Sequence, residues 1–243
     1  LGKTGEKLSV IGFGGIMLND NPQDFANELV AKALDLGINY FDVAPTYGNA
    51  QDRLGPALKS YRKNCFLACK TTKRDAAGAQ SELEDSLKKM QTDHFNLYQL
   101  HALSSVEDVE KVFSKGGAME TFVKAKKDGK VKHLGFSAHS VEAALLAMKN
   151  YDFDSILFPI NFVCWNAGDF GPQVFAEAEK RGMGILALKY TLSKNITAAV
   201  PPGQNTLFLK ALEFMNDYKP ITQQETEKLL TLAKETTPVF MHT

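Results

Sequence analysis

The sequence of 243 residues predicts a single-domain α/β protein of the TIM (β/α)8 barrel type, with one domain over residues 1–243. Short apolar runs alternate with amphipathic segments of helical period along almost the whole chain, and eight such pairs can be counted. Several of the apolar runs are continuous, as expected for parallel strands that helices cover on their outer face. Eight successive βα units fit a closed barrel better than an open sheet.

An open, doubly wound sheet is the alternative architecture for a chain of repeated βα units. That architecture usually carries a G-x-G-x-x-G fingerprint directly after its first strand. Gly12, Gly14 and Gly15 lie close together here, but the fingerprint does not follow them. Any dinucleotide must therefore bind in another way, and the closed barrel stays the preferred prediction.

The individual elements follow from the apolar spacing and the turn residues. Gly37, for example, ends the first helix in the usual C-terminal position. The predicted strands cover residues 10–14, 40–44, 66–70, 95–101, 133–137, 156–161, 185–188 and 198–200. The predicted helices cover residues 25–36, 52–60, 81–90, 120–127, 141–149 and 174–181, with two more at 207–214 and 223–234 after the last strand.

The connection between the seventh and eighth predicted strands is too short. Only residues 189–197 separate them, whereas a loop with a crossover helix needs about 10–12 residues or more. Residues 189–194 resemble the final turns of a helix joined directly to the strand before it. We therefore expect that a loop and the start of this helix are missing from the sequence near residues 188–190.

Composition and charge restrict the class of partner. Lys plus Arg and Asp plus Glu both total 28, so no basic excess indicates nucleic acid or an anionic membrane as partner. No apolar stretch approaches the ~20 residues of a membrane span, and the first residues lack the apolar core of a signal peptide. The three cysteines have no metal-site spacing, so no metal is predicted, and their odd number favours a reducing compartment. These patterns predict a cytoplasmic protein that acts on a small molecule. They do not define its oligomeric state.

Four polar side chains follow or end consecutive predicted strands. Asp42 and Tyr47 come from the second βα unit, Lys70 from the third and His101 from the fourth. Barrel active sites lie at the C-terminal ends of the strands, so the four should converge on one rim. Each alone has a structural explanation, since Lys70 could simply pair with Asp42 and His101 could be a packed interior histidine. Together they predict a catalytic site.

This set of groups suits the reduction of a carbonyl. A free tyrosine has a pKa near 10, and the Lys70 ammonium should stabilise the phenolate and lower the pKa of Tyr47. Asp42 would keep Lys70 charged and oriented, and His101 would donate to the substrate carbonyl. Tyr47 could then deliver a proton while a hydride reaches the carbonyl carbon.

The sequence also resembles a known family, the aldo-keto reductases. The resemblance covers LGKTGEKLSVIGFGG and GINYFDVAPTYG near the N-terminus, LGPALK, ACK and QTDHFNLYQLH in the middle, and GKVKHLGFSAHS and VPPG further on, all in the family's order. The spacing from Asp42 to Tyr47 and the position of His101 after LYQL are its most specific signals. The segments GFSAHS and AAVPPG resemble those of a bacterial-type branch of the family, some of whose members carry a C-terminal iron–sulfur segment. No cysteine cluster is present there in this chain.

The resemblance implies that Asp42, Tyr47, Lys70 and His101 are the catalytic residues. It further implies an extended nicotinamide dinucleotide across the barrel mouth, with NADP(H) as the family default and NAD(H) as the alternative. Gly15 and Ile16 would approach the nicotinamide, and the loop after strand eight would hold the adenosine and the phosphates. The implied cofactor-binding set is Gly15, Ile16, Asp42, Ser137, Ala138, Asn161, Lys189, Pro202, Gly203 and Gln204.

The chain departs from the family pattern at several cofactor positions. Ala138 stands where many members have an asparagine, Leu157 where they often have a glutamine, and Lys189 near an aromatic position of strand seven. Pro202 and Phe208 stand where members that bind a 2′-phosphate carry basic residues. A regulatory or sensor barrel that binds a nicotinamide cofactor with little turnover therefore stays open as an alternative function, as does a proton-transferring isomerase.

The substrate pocket is less well defined by the sequence. Specificity in barrels comes from the loops, and the predicted long loop at 102–118, after strand four, is a candidate for shaping the mouth of the barrel. Phe162 and Trp165, after strand six, are candidates for an aromatic wall, with loop packing as the alternative.

Overall fold

The computed structural model describes residues 1–188, 196–201, 203–216, 219 and 221–242. Eight parallel strands form one sheet in the order β1 to β8, each hydrogen-bonded to the next. A parallel bridge between Ile11 and Ala199 places β8 beside the residues that precede β1, which closes the circle. The predicted barrel is confirmed. The strands are β1 Phe13–Gly14, β2 Tyr40–Asp42, β3 Phe66–Thr71, β4 Phe95–Leu103, β5 Val131–Ala138, β6 Ser155–Pro159, β7 Gly184–Leu188 and β8 Ala198–Val200.

The helices lie between the strands or after the last one, and the predicted ones are present with ends that differ by a few residues. They are α1 Gln23–Asp35, α2 Ala50–Leu58, α3 Ala76–Lys89, α4 Val106–Phe113, α5 Ala118–Lys127, α6 Val141–Asn150, α7 Phe162–Ala167, α8 Pro172–Lys180, α9 Asn205–Asn216 and α10 Gln223–Glu235. None of the helices in the described part of the chain is both long enough and apolar enough to span a lipid bilayer.

Two short helices lie where the sequence predicted other structure. Residues 102–118 are not a loop throughout, because they include α4, whose first backbone groups are capped by the Ser105 side chain. Val109 and Val112 bury one face of this helix. The prediction that strand six continues to Asn161 is also wrong. The strand β6 ends at Pro159, and Asn161 instead caps α7, accepting a hydrogen bond from the Cys164 N–H at 2.9 Å.

The core has an inner and an outer layer. Alternate strand residues point into the barrel, where Tyr40, Leu97 and Leu186 belong to one cluster of buried side chains. The residues between them, such as Phe41 and Tyr98, point outward and pack against the helices. By the same alternation Asp42 lies above Tyr40 inside the barrel, at the C-terminal end of β2. The fold therefore places polar side chains at the rim, above an apolar interior.

The connection between β7 and β8 has the short length that the sequence indicated. The strands β7 and β8 are parallel neighbours, with Leu188 opposite Val200, and residues 189–197 alone join them. The expectation of a missing loop and helix start falls on residues 189–195, which lie outside the described residues. It stays a prediction.

Candidate active site

The structure brings together the four side chains singled out from the sequence. Lys70, from β3, forms a salt bridge with Asp42 at the end of β2 and donates a hydrogen bond to the Tyr47 hydroxyl over 3.2 Å. The Tyr47 ring stands edge-on to the His101 ring, with centroids 6.0 Å apart. The arrangement arises because β2, β3 and β4 are adjacent and parallel, so their C-terminal ends meet.

A tight turn places Tyr47 over Lys70. The Tyr47 N–H bonds to the Ala44 carbonyl at 3.1 Å, and Gly48 follows with φ of 56°. A Cβ at Gly48 would lie 1.9 Å from the Asn19 side-chain oxygen. Glycine is therefore the residue that this turn requires.

An irregularity in β4 places His101. The pairing of β4 with β5 shifts register between Leu100 and Leu103, and Ala102 adopts the left-handed conformation with φ of 53°. The Ala102 N–H donates to Ser137 Oγ at 2.7 Å, and Arg74 donates to the His101 carbonyl at 2.9 Å. These contacts hold the backbone in a conformation that alanine adopts rarely.

The ion pair is almost completely buried. Only 1% of Lys70 and 2% of Asp42 is exposed. Burial alone would lower the pKa of the Lys70 ammonium, but the Asp42 carboxylate, together with Tyr47, raises that pKa above its ordinary value. Lys70 is therefore positively charged at neutral pH.

The pKa of Tyr47 reflects two opposing contributions. Burial raises the pKa of the phenol above its ordinary value, and the Lys70 ammonium opposes this without reversing it. Lys70 does lower the pKa of Tyr47, as expected, but the loss of hydration on burial outweighs this contribution, so the net shift is upward. Tyr47 is consequently protonated at neutral pH and has a proton to give.

His101 is a neutral imidazole. Burial, with smaller electrostatic contributions from Lys70, His139 and Arg74, lowers the pKa of His101 to about 3. A neutral imidazole carries one N–H donor and one acceptor nitrogen. The Nδ1 atom is buried without a hydrogen-bond partner in the described structure. As a neutral group, the ring can donate a hydrogen bond to an oxygen atom through a ring N–H without adding a charge.

We predict that His101 makes the protein less stable in mild acid. An unfolded chain binds a proton at His101 below pH ~6.5, whereas the folded chain does so only near pH 3. Between these values stability falls as the pH falls, by about 2 kcal/mol between pH 7 and pH 5 for this group. Urea unfolding of the wild type and of His101→Gln at both pH values measures the difference. An equal loss of stability in the two proteins would contradict it.

A cavity of about 190 Å³ opens beside Asp42 and Tyr47, whereas Lys70 and His101 are not among the residues that line it. Asp42 and Tyr47 line it, together with Ile16 and Gly203 from the predicted cofactor set. A second hollow shares Ile16 and Gly203 with it and continues along Gln204 to Asn205, at the start of α9. Gly15 packs behind Ile16, where a Cβ would lie 3.0 Å from the Asp42 carbonyl oxygen.

Three other predicted cofactor residues that the structure describes lie away from the cavity. Ser137 is buried, with its oxygen occupied by the Ala102 N–H and its own O–H still able to donate. Ala138 is buried at the end of β5, and the Asn161 amide caps α7. These three are not among the residues that line the cavity. Lys189 and Pro202 lie outside the described residues.

Two further aromatic side chains line the cavity, and the sequence reasoning missed both. His139 follows β5, and Phe240 comes from the segment after α10. The Phe240 ring stacks on Phe170 with centroids 5.2 Å apart and lies 5.6 Å from the His139 ring. His139 directly follows the segment GFSA at the C-terminal end of the fifth strand, and this position marks it as a residue of the rim. Nothing local in the sequence marks Phe240, because tertiary folding brings it there.

The three aromatic residues named from the sequence, Phe208, Phe162 and Trp165, do not line the cavity beside Tyr47. Phe208 is fully buried and packs edge-on against Phe13, with centroids 5.4 Å apart, so it belongs to the core. Trp165 packs against Phe175 at 5.5 Å, and Phe162 begins α7. Neither Phe162 nor Trp165 lines the cavity beside Tyr47.

The chain is similar to known proteins of one family. The family model described as "Aldo/keto reductase family" matches residues 10–237. The aldo-keto reductase YhdN of Bacillus subtilis (strain 168) is 32% identical over 158 residues, which cover 57% of this chain and 46% of that protein. The L-galactose dehydrogenase of Arabidopsis thaliana is 28% identical over 152 residues, covering 56% and 47%. The chain thus spans about half the length of these curated relatives.

A solved structure extends the likeness over nearly the whole chain. The holo form of aldo-keto reductase AKR11C1 from Bacillus halodurans superposes with a TM-score of 0.78, covering 98% of this chain and 97% of that chain. The two sequences are 19% identical. At that identity the likeness shows the shared barrel fold.

Proposed function

The chain belongs to the aldo/keto reductase family, and on that premise we propose that it is an oxidoreductase that reduces the carbonyl of a small aldehyde, ketone or sugar to an alcohol. One observation carries the proposal. A protonated phenol, Tyr47, lies within hydrogen-bond distance of a buried ammonium, Lys70, and beside a neutral imidazole, His101, at the wall of a cavity. This arrangement suits the donation of a proton to an oxygen atom.

Each of the four side chains has a defined task in this proposal. When bound, a nicotinamide cofactor supplies the hydride that adds to the carbonyl carbon. The carbonyl π electrons move to the oxygen, and Tyr47 donates its proton there. His101 orients the carbonyl oxygen by a hydrogen bond, Lys70 stabilises the phenolate that remains, and Asp42 holds Lys70 in place.

The residues at the rim fit an elongated dinucleotide. The cavity at Tyr47 and the adjoining hollow share Ile16 and Gly203, so together they extend from the proton donor to the start of α9. We propose that Ile16 and Gly203 contact the nicotinamide half. The first N–H groups of α9, near Gln204 and Asn205, would hold phosphate, as helix N-termini commonly do.

NADP(H) is the proposed cofactor, with NAD(H) as the alternative. The alternative is kept because no lysine or arginine occurs between Gly203 and Phe208, so this stretch offers no basic side chain to the 2′-phosphate that distinguishes NADP(H) from NAD(H). Ser137 is proposed to contact the carboxamide through its free O–H. We further propose that Gly15, Ala138, Asn161, Lys189 and Pro202 surround the cofactor, as the resemblance implies, and that the protein is cytoplasmic, as its three free cysteines suggest.

The test is cofactor consumption in the presence of a panel of carbonyl compounds. We expect NADPH absorbance to decline with small aldehydes, and NADP⁺ to be reduced with sugars such as L-galactose, the substrate in the name of the Arabidopsis relative. NADH and NAD⁺ are run in parallel to compare the two cofactors. The same samples are titrated for binding by nicotinamide fluorescence.

The binding titration separates the rival functions. A sensor barrel is favoured by one observation, namely that the Asn161 amide is committed to capping α7. Tight cofactor binding without turnover on any carbonyl would support that function and overturn the reductase. Absence of dinucleotide binding would instead favour an isomerase that moves only protons.

A further inference from the structure

The second oxygen of the Asp42 carboxylate has its own donors inside the barrel. Oδ1 accepts from Lys70, while Oδ2 accepts from the Tyr40 hydroxyl at 3.3 Å and from Gln99 Nε2 at 3.3 Å. Both donors have 0% of their surface exposed. The carboxylate is therefore held from both sides and cannot rotate without breaking one of these contacts.

The strand register brings the two donors to this oxygen. Tyr40 lies two residues before Asp42 on β2, so both side chains point into the barrel. Gln99 lies two residues before His101 on β4 and directly opposite Lys70 in the β3–β4 pairing. The donors thus come from the strands on either side of β3, below the rim that carries Tyr47 and His101.

Packing alone does not explain an amide at position 99. Gln99 Oε1 is buried and has no hydrogen-bond partner in the described structure, which costs free energy. The interior on this side is formed by apolar residues such as Leu97, among which a methionine would have no unpaired acceptor. The favourable polar contact that the amide does make is the one to Asp42.

We propose that Gln99 and Tyr40 are positioning residues, which hold the Asp42 carboxylate against Lys70 and thereby adjust Tyr47 as a proton donor. This rests on the proposed function in one respect, the identification of Tyr47 as the acid. Neither residue lines the cavity beside Tyr47, so both act through Asp42 and Lys70.

The direction of the effect follows from the charges. Without its Oδ2 donors, the Asp42 carboxylate is balanced by Lys70 alone. The ammonium is then drawn further toward Asp42 and stabilises a Tyr47 phenolate less. The pKa of Tyr47, already raised by burial, should rise further, and a weaker acid transfers its proton more slowly.

The experiment uses three variants, Gln99→Met, Tyr40→Phe and the double variant of the two. The control variant is Gln51→Met. Gln51 is the matched control, because it is also a buried glutamine but donates to Ser86 at 2.9 Å and to Cys69 at 3.3 Å rather than to Asp42. Ionisation of Tyr47 is followed in cofactor-free protein by the tyrosine side-chain NMR signal that is absent from Tyr47→Phe. Steady-state kinetics give kcat and KM separately, and urea unfolding gives stability.

We expect Gln99→Met and Tyr40→Phe each to move the Tyr47 titration to higher pH and to lower kcat about tenfold, with KM changed less than about twofold. The urea midpoint of Gln99→Met should change little, since the lost hydrogen bond is offset by removal of the unpaired acceptor. Gln51→Met should leave kcat and the titration unchanged.

Two results would overturn the proposal. One is a Tyr47 signal with the same pH dependence in the wild type and both variants throughout the range where the protein is folded. The other is an equal loss of kcat in Gln51→Met. If no carbonyl is turned over by the wild type, the proposed function fails, but the titration still decides whether Gln99 and Tyr40 act on Tyr47.

Discussion

Replacement of Tyr47 by phenylalanine is expected to lower kcat for carbonyl reduction by about 10³-fold, because general acid catalysis typically contributes 10²–10⁴-fold. The ring itself should stay in place, since it packs edge-on against His101 and lies 5.0 Å from Lys70 Nζ. Folding and cofactor affinity should therefore be retained. The measurement is steady-state reduction of the best aldehyde, with the cofactor affinity determined separately by fluorescence.

Tyr61→Phe is the control for this change, because Tyr61 is 42% exposed and lies away from the cavity. It should reduce the same aldehyde at the wild-type rate. If Tyr47→Phe turned over as fast as Tyr61→Phe, Tyr47 would not be the acid, and another donor near His101 would have to be sought.

The pH dependence has a sign that follows from the same pKa. Reduction needs Tyr47 protonated, and burial raises the pKa of Tyr47 above its ordinary value of 10. Loss of the reduction rate through this group should therefore begin only in strongly alkaline solution. Alcohol oxidation needs the phenolate, so its rate should increase with pH over the same range.

The barrel and the four convergent side chains could be predicted because both depend on local patterns. Continuous apolar runs and helical spacing define the βα units, and the topology of parallel strands then places every strand end on one rim. Asp42, Lys70 and His101 follow from that rule without any knowledge of side-chain contacts. The short helices α4 and α7 were missed because one or two turns give too little periodicity to recognise.

What escaped prediction depends on tertiary contacts. The net pKa of Tyr47 is a balance between burial and the Lys70 charge, and the extent of burial is not written in the residues near Tyr47. Phe240 reaches the cavity from the end of the described chain, where no strand-end rule applies. The unpaired amide oxygen of Gln99 emerges only from the register that sets this residue opposite Lys70.

The commitment of Asn161 to α7 bears on cofactor affinity. A side chain that already accepts the Cys164 N–H at 2.9 Å and donates to its sulfur at 3.0 Å has one lone pair and one N–H left for a carboxamide, in an orientation set by the cap. The four side chains proposed to be catalytic thus already contact one another, whereas Asn161 of the proposed cofactor set is engaged in a helix cap. That contrast explains why turnover and binding have to be measured separately.

Replacement of Lys70 by methionine is expected to lower the free energy of unfolding by about 3–5 kcal/mol, because it leaves the Asp42 carboxylate buried without its counter-charge. The hydrogen bonds from Tyr40 and Gln99 remain but do not neutralise it. Asp42→Asn should be destabilising for the converse reason, leaving the Lys70 ammonium unpaired. Urea unfolding at neutral pH measures both changes.

The double variant Lys70→Met, Asp42→Asn should recover most of that loss, since it buries no charge at all. A double-mutant cycle then yields the coupling between the two residues, and strict additivity of the single losses would contradict a buried ion pair. Carbonyl reduction should be lost in all three variants. A double variant that is stable yet inactive would mean that the ion pair is retained for the chemistry at Tyr47, since neutral side chains could supply the stability.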